Sequence, residues 1–217
     1  MCKMVIIVNY KNYKFGREAL SLSKKIERNL GKIIVCPSSL DLLQVKKETG
    51  LKVFAQHVSG KDKGRNTGWL TVDGLKEVGI GGTLVNHSEH KIQVKEIDQI
   101  LVKCSALNLK AIVCCGSLKE VKQIMKLTFK PWAIAYEDPK LVGSGLPITK
   151  FKTRRVRKFA SMLIGSGVLP LCGAGISSAR DVKAAKSLGC KGVLISSAIA
   201  KSKSPEQLLQ KLRGLNG

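Results

Sequence analysis

Three short apolar runs in this chain end in side chains that move protons or hold charge. Met4–Val8 leads into Asn9-Tyr10-Lys11, Gly82–Val85 into Asn86-His87-Ser88-Glu89, and Trp132–Ala135 into Tyr136-Glu137. A glutamate can act as a general base, an imidazole can give and take a proton near neutrality, and a lysine ammonium can face an anion. Two further runs end in small residues, Cys172-Gly173-Ala174-Gly175 and Ser196-Ser197. Small residues let backbone N–H groups come close to an anion. Each feature alone has a structural explanation: a hydrogen-bonded histidine, a glutamate capping a helix or pairing with lysine, glycines that permit a turn. All of them, however, follow apolar runs at the same end. If those runs lie side by side, the base, imidazole, ammonium and glycine-rich turn face one cavity, and the chemistry is acid–base catalysis on an anion.

The elements that must position these groups alternate regularly. Strands are expected at Met4–Val8, Ile33–Cys36, Lys52–Ala55, Gly82–Val85, Ala111–Cys114, Trp132–Ala135, Leu169–Cys172 and Gly192–Ile195. They are continuously apolar rather than alternating, as parallel strands covered on both faces are. Within the first, two-residue periodicity points Asn9 and Lys11 the same way. Helical spacing lies between the runs, as in Ala19, Leu22, Ile26 and Leu30, and in Leu118, Val121 and Met125. The last helix is predicted to start with Ser204 as N-cap, Pro205 in the first helical position and Gln207 closing a capping box, with Gly214 just past its end. Eight strand–helix units occupy the 217 residues without a linker, so one domain over 1–217 is expected. The class is α/β, and eight units point to a closed (β/α) barrel with trimmed helices. An open doubly wound sheet is the alternative. No Gly-x-Gly-x-x-Gly follows the first run, which weakens a dinucleotide-binding version.

Composition narrows the setting. Hydrophobic residues make up 44% of the chain, and no apolar run is long enough to cross a bilayer or serve as a secretory signal, so a cytoplasmic protein is expected. The seven cysteines are odd in number, lack a Cys-x-x-Cys, and stand mostly beside β-branched residues, where a free thiol packs as a small hydrophobe. A disulfide framework or a zinc site is the competing reading. The net charge is +23, from 38 basic and 15 acidic residues, and Lys150–Lys158 alone carries six cations. Such a surface attracts a phosphorylated metabolite or nucleic acid, or it is a solvated lysine-rich helix face. Aromatic residues for base stacking are scarce at 5%, so any nucleic-acid partner is expected only through non-specific basic surface.

With these residues in view, the chain resembles the triosephosphate isomerases, in particular their short archaeal form. The likeness runs through NYKNY (Asn9–Tyr13), AQHV (Ala55–Val58), GRNTGWLTVDGLKEVGI (Gly64–Ile80), GTLVNHSEH (Gly82–His90), AYEDPKLVGSG (Ala135–Gly145), CGAGI (Cys172–Ile176) and GVLISSAIAKSKSPE (Gly192–Glu206). The resemblance implies a single (β/α)8 TIM barrel that interconverts dihydroxyacetone phosphate and glyceraldehyde 3-phosphate without a cofactor or metal. It makes Glu137 the base, His87 a neutral electrophile, Lys11 the cation beside the substrate and Asn9 its polar partner, with Glu89 as a supporting carboxylate. Phosphate binding falls to Val142, Gly143, Gly175, Ser196 and Ser197, and Asp138–Gly145 resembles a closing lid. Thr67 matches a loop that braces the lysine of a neighbouring subunit, which implies a homodimer or homotetramer. Two positions depart from the family: Asp138, where proline usually follows the glutamate, and Ala198, where archaeal relatives usually carry glycine.

Overall fold

The β-branched runs form eight parallel strands: β1 (Val5–Asn9), β2 (Ile34–Cys36), β3 (Lys52–Ala55), β4 (Gly82–Val85), β5 (Lys110–Cys115), β6 (Ala133–Tyr136), β7 (Leu169–Cys172) and β8 (Gly192–Ile195). They pair in chain order, and β1 also pairs with β8, so the sheet closes into a barrel rather than remaining open. The computed structural model describes residues 4–138 and 148–215. Several strand ends differ by one residue from the predicted runs, because backbone pairing carries on past the apolar stretch: Asn9 pairs with Cys36 and Tyr136 with Cys172.

Side-chain alternation divides each strand between two cores. Ile7, Ile34, Phe54, Leu84, Ile112, Ala133, Leu171 and Leu194 fill the barrel, while Ile6, Val8, Val53, Val85, Val113 and Ile134 pack outward against helices. Extending the interior set toward the strand ends by two residues, or four from Ala133 through Ala135, reaches Asn9, Gln56, Asn86, Glu137, Gly173 and Ser196. The polar mouth is therefore the continuation of the apolar interior. Near the other end Phe54 takes the room left by Gly82, where an added Cβ would stand 2.8 Å from the ring and 2.2 Å from the Lys110 carbonyl. Truncation in Phe54→Ala is expected to cost about 3–5 kcal/mol of stability. Denaturant unfolding checks this, and a loss below about 1 kcal/mol would show that the ring is not filling that space.

The outer layer is α1 (Gly16–Leu30), α2 (Leu42–Glu48), α3 (Val72–Glu77), α4 (Val94–Ala106), α5 (Leu118–Ile124), α6 (Ile148–Phe151), α7 (Thr153–Met162), α8 (Ala179–Ser187), α9 (Ser197–Ala200) and α10 (Glu206–Arg213). The α1 stripe is as expected, with Ala19, Leu22, Ile26 and Leu30 buried. The start of α10 differs from the prediction. Its cap is Pro205, no side-chain bond closes it, and the Ser204 N–H donates to Ser202 Oγ instead. Pro205 already has helical backbone angles and supplies the carbonyl that Leu209 bonds, so the local turn does the capping. A complete capping box occurs on α8, between Ser178 and Asp181. Among the described residues no helix is long and apolar enough to cross a membrane.

The six-cation run is split. In α7, Val156 and Phe159 are buried while Arg154, Arg157 and Lys158 are exposed, the solvated face expected for such a sequence. Lys152, at the break between α6 and α7, instead reaches to 4.0 Å from Asp138. Burial raises the Tyr136 phenol's pKa, and the Arg155 charge opposes that rise. Two cations of the run therefore act on the residues on either side of Glu137.

Candidate active site

One cavity at the C-terminal end of the strands is lined by Asn9, Lys11, His87, Glu137, Gly175, Ser196 and Ser197. These come from the first, fourth, sixth, seventh and eighth strand–helix units. An adjoining cavity of about 340 Å³ shares Asn9, Lys11 and His87 and adds Glu89. Thr67 lies elsewhere, in an exposed loop next to Trp69, which is 51% exposed. Val142 and Gly143 lie outside the described residues, as does the rest of the predicted lid beyond Asp138. Asp138 is buried. Ala198 packs its methyl against the outer core.

Strand alternation alone does not deliver Lys11 and His87. Lys11 lies past the end of β1 with φ +49°, and Asn86 has φ +60°. Left-handed backbone is unfavourable for residues with a side chain and persists where the surroundings fix it. Here they do. The Lys11 N–H donates to Asn9 Oδ1 at 2.9 Å, and Gln56 Nε2 donates to the Lys11 and Cys36 carbonyls at 2.8 and 3.1 Å. Asn86 Nδ2 donates to the Cys114 carbonyl at 2.9 Å, while its Oδ1 accepts from the Ile92 N–H. Gln56 and Asn86 thus anchor the two turns, functions that sequence reasoning left unassigned although both residues sit in quoted motifs. The interior two-residue step was the signal available for finding them.

The hydrogen bonds also fix the proton on His87. The Glu89 N–H donates to Nδ1 at 3.2 Å, so Nδ1 is an acceptor and a neutral ring carries its proton on Nε2. Nε2 lies 3.6 Å from Glu137 Oε1. Burial, aided by the Lys11 charge, pushes the imidazole pKa down to about 4, so the ring is neutral near pH 7. Neither carboxylate beside it then forms an ion pair with it. Glu89 pairs with Lys11 instead, Oε1 to Nζ at 2.6 Å, with the lysine largely buried and the glutamate half exposed.

Glu137 is shifted the opposite way. Its side chain is 2% exposed, and burial pushes its pKa up from 4.5 to about 7, opposed by Lys11, the Ser88 backbone and the Cys114 thiol. Its Oε2 has no hydrogen-bond partner among the described residues. A carboxylate buried with one oxygen left unpaired is a strong base for its type. Gly173 makes room for it: a Cβ there would stand 2.6 Å from Glu137 Cγ. Gly173 is absent from the positive-φ positions, so the turn predicted for it is not what needs glycine; Gly175, at φ +66°, does need it.

Ser196 and Ser197 enter the cavity where α9 begins, on the strand–helix unit next to that of Lys11. Ser196 Oγ is buried with no partner among the described residues, an unmet polar atom beside a cation and small residues. The arrangement can hold an anion at one side while a base and a neutral N–H donor act at the other. The described residues contain no group of three or more His, Cys, Asp or Glu able to hold a metal ion.

Comparison with known proteins gives the same direction. The family described as Triosephosphate isomerase matches residues 4–212. The triosephosphate isomerase of Methanocaldococcus jannaschii is 35% identical over 96% of this chain and 98% of its own length. That of Methanothermus fervidus is 37% identical over 98% of each chain. That of Methanobrevibacter smithii is 34% identical over 94% of this chain and 95% of its own.

Proposed function

Since the chain belongs to the triosephosphate isomerase family, we propose that it interconverts dihydroxyacetone phosphate and D-glyceraldehyde 3-phosphate, with Glu137 and His87 moving the protons. The carrying observation is a buried glutamate and a neutral histidine 3.6 Å apart, shifted in opposite directions. A glutamate base beside a neutral histidine is the family's known arrangement, not a new assignment.

In this reading Glu137 removes a proton from the carbon next to the substrate carbonyl, and His87 Nε2–H donates to the carbonyl oxygen. The enediolate that forms is negatively charged, and the Lys11 ammonium, oriented through Asn9 and Glu89, stabilises it. Glu137 then returns the proton to the neighbouring carbon. No electron leaves the substrate, so no redox cofactor takes part. Gly175, Ser196 and Ser197 hold the phosphate, and Val142 and Gly143 complete its site when Asp138–Gly145 closes and keeps water from the intermediate. The whole of 1–217 acts as one catalytic unit. The exposed loop around Thr67 and Trp69 supports at least a homodimer, extending to a tetramer. The buried, unpaired thiols at Cys36, Cys104, Cys114, Cys115, Cys172 and Cys190 support a cytoplasmic setting. The family match and the relatives' names lend nothing to the nucleic-acid alternative.

The test is isomerisation of glyceraldehyde 3-phosphate by the purified protein with a chelator present. Rapid turnover is expected, and a folded protein without turnover would sink the proposal. The profile of kcat/KM should rise with pH around a midpoint near 7, because Glu137 must be ionised to act. A midpoint below about pH 5.5 would contradict a carboxylate whose burial outweighs its partners.

A further inference from the structure

At the N-terminal end of the strands, opposite the candidate active site, lies a second cavity of about 520 Å³. Its size is that of small-molecule sites. Lys32, Lys46, Lys52 and Lys110 surround it, and Phe54 and Trp132 form part of its apolar floor. No Asp or Glu lines it, and none of the four lysines is in an ion pair among the described residues. Glu27 comes close on the Lys32 side, where its Oε1 accepts from the Gly50 N–H at 2.6 Å.

The floor is held in place. Phe54 is 2% exposed and lies against Gly81, where an added Cβ would be 3.2 Å from its ring. Phe54 and Trp132 meet edge to face with centroids 6.2 Å apart, and Lys110 Nζ stands 4.6 Å from the Trp132 ring centre. That cation–π contact positions the ammonium at the rim. The stems of Lys32 and Lys46 run past Gly50 and Gly79, each Cε 3.7 Å from where a Cβ would be. Glycines at the wall keep the cavity open, and apolar stems leave the charged heads at its edge.

We infer that this cavity binds an organic polyanion with an aromatic body, of the nucleoside polyphosphate class, at a site separate from the isomerase centre. The ring settles against the part-exposed Trp132, which Phe54 backs from inside the barrel, and the phosphates lie among the four ammonium groups. Like charges gathered around an apolar hollow favour a ligand that supplies both counter-charge and apolar surface. A simple anion satisfies only the rim, and an uncharged ring only the floor.

The experiment titrates the full chain with ATP in EDTA, reading tryptophan fluorescence and equilibrium dialysis, with adenosine and tripolyphosphate as partial probes. Saturable binding of one ATP per chain with Kd below about 1 mM is expected, and both partial probes should bind at least about tenfold more weakly. Lys52→Glu/Lys110→Glu should weaken ATP by about tenfold or more. Arg154→Glu/Arg157→Glu, with the same change in net charge on the exposed face of α7, should not. All four positions are exposed, so thermal melts should confirm folding, and Lys52→Gln/Lys110→Gln serves if the reversal disturbs it. Absence of saturation, equal loss in both charge-reversed pairs, or tripolyphosphate binding as tightly as ATP would each overturn the inference. None of these readouts depends on isomerase activity.

Discussion

Glu137→Gln is expected to lower kcat by about a thousand- to ten-thousand-fold while the protein still binds inorganic phosphate about as well as the parent. The amide keeps the shape of the side chain and removes its basicity. The proposed anion side of the cavity uses Lys11, Gly175, Ser196 and Ser197, not Glu137. Steady-state kinetics with phosphate as a competitor separates the two effects, and a parallel loss of binding and turnover would mean that Glu137 shapes the cavity rather than acting as base. The same substitution has a second signature in stability. Below pH 4.5 the carboxyl is protonated whether the chain is folded or not. As the pH rises, the unfolded chain ionises first and the folded chain only near pH 7, so the parent loses stability through that window. The displacement from 4.5 to about 7 corresponds to about 3 kcal/mol. Glu137→Gln should therefore gain on the parent by an amount of that order between pH 4.5 and 8. Unfolding curves that keep a constant separation across this range would place Glu137 in a more polar environment than the structure gives it.

Gly173→Ala should disable the enzyme from a position that carries no functional group. A methyl there would sit 2.6 Å from Glu137 Cγ, closer than real Cβ contacts allow, and a tight 3.1 Å from Oε1. Glu137 is buried and cannot swing into solvent, so the base or the β7 turn must move. A displacement near 1 Å at a catalytic group costs about a hundredfold in rate. Overpacking adds about 1–3 kcal/mol of destabilisation. Kinetics and a thermal melt on the one variant test both, and an alanine protein of full rate and unchanged stability would refute the contact.

Much of this was legible in the sequence, for a physical reason. Parallel strands covered on both faces must be continuously apolar, so the runs around Val8, Val85 and Ile134 announced themselves, and their shared polar ends located the mouth. The same alternation that packs Ile7 and Ala135 inside the barrel carries Asn9 and Glu137 to its rim. What escaped was whatever depends on neighbours distant in the chain. Gly173 read as a turn because the carboxylate lying on it comes from another strand. Asn86 and Gln56 read as motif letters because the carbonyls they bond lie elsewhere in the chain, on β5 for Asn86 and on β2 and the turn after β1 for Gln56. Ser204 read as a cap because local spacing allowed it, whereas Pro205 had already set the turn. Lys152 and Arg155 read as solvent charges because Asp138 and Tyr136 meet them only after folding.

Closure of the sheet has a consequence for how the protein is made. The β1–β8 ladder joins Val5 to Gly192 and Val8 to Ile195, among the most distant pairings the chain contains. Until β8 is synthesised, β1 keeps one unpaired edge, and every partial barrel offers open strands to aggregation. Contacts this far apart in sequence are slow to form. The anion cavity straddles that seam, with Lys11 on one side and Ser196 and Ser197 on the other. In the proposed reading, phosphate therefore has its pocket only once the ring is shut. Added during refolding, it should draw the final joining step toward the native state.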